Sequence, residues 1–200
     1  MRRGVVLIGC LGVGIALAIS PAAEGLVLLP VGTFEIVPGD SSVTFSVPDN
    51  RGGFSGRTTG VTGRIVVEAQ GDGEEYVATV TAAIDAASIT TGNGIRDASM
   101  RSTFLRTGEF PTIAFEGTVS ARPGLGVHPF AAAARGRLTI RALTREVEFP
   151  ATVTALARDY LADATATVRM ADYQIPYPRA FIFIARDPVT VTLHIRARQS

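Results

Sequence analysis

From Val43 almost to the C-terminus the chain alternates apolar and small polar residues with a period of two, the spacing that puts successive side chains on opposite faces of a β-strand. Val43, Phe45 and Val47 begin the pattern, and Val61, Ile65, Val67 and Ala69 continue it. Tyr76, Ala78, Val80, Ala82 and Ile84 then alternate with Val77, Thr79, Thr81 and Ala83. Further on, Ile113, Phe115 and Val119, then Leu138 and Ile140, then Val147, Phe149, Ala151 and Val153 repeat it. Pro150 falls on the polar side of its strand, a position that only an edge or a bulge tolerates. "DATATVRM", "AFIFIA" and "VTVTLHIR" supply three more strands. A long antiparallel sheet with one apolar face must curl into a barrel or fold into a sandwich to hide that face, and periodicity alone admits both.

One segment breaks the alternation. In "NGIRDASMRSTFLR", Ile95, Ala98, Ser102 and Leu105 recur at helical spacing, Asn93 is placed to cap the start, and Gly108 and Pro111 stop the run. The spacing predicts a short helix between two strands, with Arg96, Asp97, Arg101 and Arg106 on its exposed side. Asp97 and Arg101 stand four residues apart, the separation of a helical ion pair.

The N-terminus follows the grammar of export. Arg2 and Arg3 precede an uncharged apolar run from Gly4 to Ile19, and small residues surround Pro21. Residues 1–22 read as a cleaved signal peptide or, if retained, as a membrane anchor, with 23–32 as linker and 33–200 as the folded domain. Cys10, the one cysteine, lies inside this segment, so the folded part has no disulfide, no thiolate metal site and no cysteine nucleophile.

Other chemistry is thinly represented. All 19 basic residues are arginine, interspersed with 18 acids for a net charge of +1, which does not make the clustered cationic surface of a nucleic-acid binder. The two histidines, His128 in a Gly/Pro loop and His194 on a polar strand face, accompany no strained nucleophile turn. No metal-ligand cluster or phosphate-cradling glycine loop is evident. The alanines at inward positions, Ala78, Ala82, Ala151, Ala164 and Ala166, would leave room inside a barrel.

The segment "DAASITTGNGIRDASMRSTFLRTGEFPTIAFEGT" closely resembles the signature of the YceI-like family of exported lipid-binding proteins, with Ser88, Thr91, Asn93, Arg96, Asp97, Arg101, Phe110, Pro111 and Phe115 in register. "GTFEIVPGDSSVTFSV", "RGGFSGRTTGVTGRIVV", "GRLTIRALTREVEF" and "VRMADYQI" are similar to its flanking motifs. The resemblance implies an all-β fold: an antiparallel, lipocalin-like β-barrel with one short helix inserted between strands. It further implies an apolar channel for an isoprenoid lipid such as a prenyl phosphate or quinone, no catalysis, and no cofactor. On that picture Phe45, Ile84, Met100, Phe104, Phe115, Phe149, Phe181 and Phe183 line the channel. Arg96, Asp97 and Arg101 clamp the helix to the strand ends or meet a head group, Arg101 foremost. The expected place is extracytoplasmic: periplasmic, secreted, or anchored to the outer face of the cytoplasmic membrane. The expected partners are an amphiphilic lipid, that membrane if the N-terminus is uncleaved, and a second copy in a homodimer. Asp40, Ser99 and the Arg141–Ala142 pair replace residues common in the family, histidines and a His-Gly pair, so head-group contacts are expected to differ. Two other readings compete: a structural or stress-response envelope protein whose barrel is filled by its own side chains, and an enzyme acting on a bound lipid.

Overall fold

A computed structural model describes residues 29–70, 75–123, 129–180 and 183–200, with backbone alone at Arg179, Ala180 and Phe183. Twelve strands follow the alternation. They are β1 (Gly32–Ile36), β2 (Ser42–Val47), β3 (Phe54–Thr58), β4 (Val61–Gln70), β5 (Glu75–Asp85), β6 (Thr112–Ala121), β7 (Phe130–Ile140), β8 (Leu143–Ala155), β9 (Asp159–Val168), β10 (Arg179–Ala180), β11 (Phe183–Ile184) and β12 (Val189–Gln199). β10 and β11 pair only with each other.

The large sheet runs β1-β4-β5-β6-β7-β8-β9-β12-β2-β3, and the additional pairing of β1 with β12 closes it into an eight-stranded antiparallel barrel. Of the barrel and the sandwich that periodicity admits, the chain forms the barrel. β1 and β2 behave as one strand bent at Pro38–Gly39: both pair with β12, and Val37 N donates to Arg196 O (2.8 Å) across the bend. Closure pairs β1 on both sides and leaves β3, laddered only to β2, as the end strand of the sheet.

The two ends of the barrel differ. At one end Leu29, Phe34, Val67, Tyr76, Phe130, Val153 and Tyr160 pack into a plug. Phe34 meets Tyr160 edge to face, their ring centroids 4.9 Å apart. The Tyr160 hydroxyl donates to Pro30 O (2.6 Å), and Leu29 N donates to the Tyr76 hydroxyl (3.2 Å). Residues 29–31, which sequence assigns to the linker, thus seal the base. Burial raises the Tyr160 phenol above its ordinary range. Just outside the plug, the buried Asp159 carboxylate accepts from Arg196 Nη2 (2.5 Å) and Arg198 Nε (3.1 Å), tying the start of β9 to the end of β12.

At the opposite end the wall loosens between β8 and β9. These strands pair only from Ala151–Ala155 to Tyr160–Ala164, although β8 stays bonded to β7 along its length and β9 to β12. Pro150, which has no N–H to give, stands one step past the last paired residue of β8, where an edge position suits it. The open end is flanked by the 3₁₀ turn Met170–Tyr173 and by a helix between β5 and β6. That helix is α1 (Gly94–Ser99), continued by a π turn over Met100–Phe104.

Candidate functional site: the barrel cavity and its mouth

The inward positions of the strands enclose a cavity of about 1150 Å³, larger than the roughly 300–1,000 Å³ of sites for drug-sized ligands. Its wall follows the period-two register: Val80, Ala82 and Ile84 from β5, Ala162, Ala164 and Ala166 from β9, and Val189, Val191, Leu193 and Ile195 from β12. Two aromatic pairs narrow it. Phe45 and Phe54 meet edge to face at 6.5 Å, and Phe115 and Phe149 are tilted at 6.0 Å. Phe115 has its place because Gly117 and Gly136 stand opposite each other on β6 and β7. A Cβ built at either lies under 3 Å from the Phe115 ring.

Phe45, Ile84, Met100, Phe104, Phe115 and Phe149 all line the cavity. Phe181 lies outside the described residues, and so does the side chain of Phe183. Phe54 lines it too, as do Met170, Tyr173 and the β12 aliphatics, which were not singled out from sequence. Period two does mark the β12 set, in "VTVTLHI".

The helix that borders the mouth corrects the sequence reading of its faces. Asn93 caps it as expected, its side chain accepting from Arg96 N (3.0 Å). Ile95, which starts the apolar helical spacing, is 84% exposed at the mouth, whereas Asp97, expected outside, is only 6% exposed. The Asp97 carboxylate accepts from Thr90 Oγ1 (2.7 Å), Thr91 N (2.8 Å) and Thr91 Oγ1 (2.5 Å). The threonine hydroxyls, Thr91 first, hold its pKa below the usual aspartate range against the opposing effect of burial, with smaller help from the Thr91 amide and the Arg101 charge. The expected Asp97–Arg101 ion pair is therefore not made: Arg101 instead donates to Ala87 O (2.9 Å) and Ile89 O (3.2 Å). Arg96 donates to Thr91 Oγ1 (2.8 Å) and lies 4.5 Å above the Phe54 ring. Thus Asp97 and Arg101 fasten the helix to the strand-to-helix connection, and only Arg96 of the three reaches the cavity.

The mouth is polar in patches. Asn93, Arg96, Ser99, Thr103, Arg145, Arg169 and Asp172 border it, along with Asp49, whose carboxylate is occupied by the amides of Arg51 and Gly53. Along the β8–β9 gap the cavity touches consecutive residues, Glu146–Val147–Glu148 and Ala166–Thr167–Val168, where a closed wall would present only alternate ones. The gap is a sideways extension of the mouth. Among the described residues no group of three or more His, Cys, Asp or Glu is arranged to hold a metal, and no helix is long and apolar enough to cross a membrane.

Comparison with known proteins agrees with this architecture. Burkholderia cenocepacia BcnA superposes with a TM-score of 0.65 at 15% identity, covering 80% of this chain and 98% of that one. A polyisoprenoid binding domain from Saccharophagus degradans, implicated in plant cell wall breakdown, gives 0.62 at 14% identity, covering 86% and 100%. The Campylobacter jejuni YCEI protein gives 0.53 at 14%, covering 72% and 84%. A comparison with curated protein sequences returns no match. The YceI-like domain model matches residues 34–197, nearly the whole barrel from the strand that closes it to the strand it closes on, and the chain belongs to the YceI-like family.

Proposed function

We propose that this protein binds one long-chain isoprenoid or related amphiphilic lipid inside the barrel and serves as its carrier or sequestering protein in the cell envelope. The observation that carries the reading is the cavity itself: about 1150 Å³, walled by aliphatic side chains and two aromatic pairs, with polar groups in patches around its mouth. An empty space of that size argues against a barrel filled by its own side chains. Each methylene taken from water contributes about 0.8 kcal/mol, so a tail of a few isoprene units offsets the cost of immobilising the ligand without any special residue. The polyisoprenoid-binding description of the Saccharophagus degradans domain supports the ligand class. The apolar run after Arg2 and Arg3 supports an extracytoplasmic setting, and the family is one of binding proteins, which supports a role without turnover.

A ladder of prenyl alcohols of rising length, competed against a fluorescent prenyl probe, tests the proposal. Affinity is expected to climb with each isoprene unit until the chain fills the cavity and then to level off. Affinity independent of chain length contradicts it.

A further inference from the structure

We infer that the ligand carries an anionic head group, of the phosphate or carboxylate kind, and that Arg145 holds it at the mouth. The inference rests on the lipid reading above and deepens it. β8 pairs with β7 in the register Leu138↔Arg145, Gly136↔Val147 and Ala134↔Phe149. Leu138, Ala134, Val147 and Phe149 face the cavity, so Arg145 occupies an inward position on a strand whose inner face is otherwise apolar. Two residues from the mouth-end turn, it is the last inward side chain but one before solvent. The side chain is exposed to solvent at the mouth, where the polar end of a bound ligand would meet it.

The arginine has no carboxylate partner among the described residues; Nη1 donates to the adjacent Thr144 O (2.8 Å), and no hydrogen bond from its other donors is seen. Three other arginines near the mouth are engaged. Arg101 is spent on two backbone carbonyls and does not reach the cavity, Arg96 is bonded to Thr91 and stacked on Phe54, and Arg141 donates to Gln174 O. Beside Arg145 lies Tyr173, which also borders the cavity and whose buried hydroxyl has no hydrogen-bond partner. Arg169 adds a second positive charge where β9 ends. Two acids of this rim are otherwise directed, Asp49 to backbone amides and Glu148 outward to Arg135, and Glu146 and Asp172 remain as opposing charges. The planar fork of an arginine matches a phosphate or carboxylate bidentately, and such charge-assisted bonds are about twice as strong as neutral ones. A tail buried between Phe45 and Phe149 then leaves its head at the mouth beside Arg145.

Two probes with one tail test this: geranylgeranyl monophosphate and geranylgeraniol, titrated into the full chain. The wild type is expected to prefer the phosphate by roughly tenfold to a hundredfold, and rising salt should erode that preference while leaving alcohol binding unchanged. Arg145→Met should bring the phosphate down to the affinity of the alcohol, leave the alcohol within about threefold, and be largely rescued by Arg145→Lys. Equal weakening of both probes, or a phosphate preference that survives Arg145→Met, overturns the assignment. The wild-type salt titration stands even if Arg145→Met folds poorly, and a wild type that binds both probes equally at every salt concentration overturns it as well. Binding of neither probe overturns the lipid reading itself, and this inference with it.

Discussion

Replacing Ala82 and Ala164 together by phenylalanine is expected to abolish uptake of a long prenyl probe while leaving the thermal midpoint within a few degrees of wild type. The two alanines stand on β5 and β9, which lie on opposite sides of the eight-stranded wall, and both line the cavity. Phenyl rings at both positions would occupy the space taken by the middle of a bound tail. Excluding four methylenes from burial forfeits about 3 kcal/mol, more than a hundredfold in affinity. Overpacking a filled core costs about 1–3 kcal/mol, but rings that enter open space escape that cost. Binding measured by probe fluorescence, with melting followed by circular dichroism, separates the two outcomes. Wild-type affinity in the double variant would mean that the ligand lies elsewhere.

Gly136→Val is expected to do the reverse and strike the fold. A Cβ at Gly136 lies 2.4 Å from Glu116 O and 2.7 Å from Gly117 Cα, both backbone atoms of β6 that cannot swing aside. The added methyls must either part β6 from β7 or displace the Phe115 ring from its seat over the two glycines. We expect a loss of about 3 kcal/mol in urea denaturation, at the upper end for overpacking. Gly94→Ala is the control: its Cβ meets nothing within 4 Å, and it stands in the first turn of α1, where alanine is the better helix former. A Gly136→Val protein as stable as wild type would show that the Gly117–Gly136 contact is looser than drawn.

Much of this was legible in the residues because a β-barrel writes its inside and outside in period two. Val80, Ala82 and Ile84, and Phe115 and Phe149, face the cavity as the alternation requires. Pro150 on a polar face announces an edge, and the chain places it where the β8–β9 ladder stops. Closure was not legible from periodicity, since it depends on Phe34–Ile36 finding Ala197–Gln199 across almost the whole chain; only the family resemblance pointed to a barrel.

The helix misled for a physical reason. Hydropathy ranks Ile95 above Asp97, but a carboxylate supplied with three donors by Thr90 and Thr91 is satisfied when buried, and Ile95 is displaced to the mouth. Arg145 is the complementary lesson. Its place in the inward register of "TREVEFPATV" is readable by extending the Val147–Phe149–Ala151–Val153 alternation two residues back, and a charge in that register is a signal that counting apolar residues alone passes over.

The central claim is that the cavity is a lipid site, and the contents of the cavity test it most directly. Protein purified from its native source without detergent, extracted with organic solvent and analysed by mass spectrometry, should yield one isoprenoid or comparable long-chain amphiphile per barrel, absent from the extract of the Ala82→Phe/Ala164→Phe variant. An extract free of lipid, from a wild type that also takes up no prenyl probe, would contradict the account.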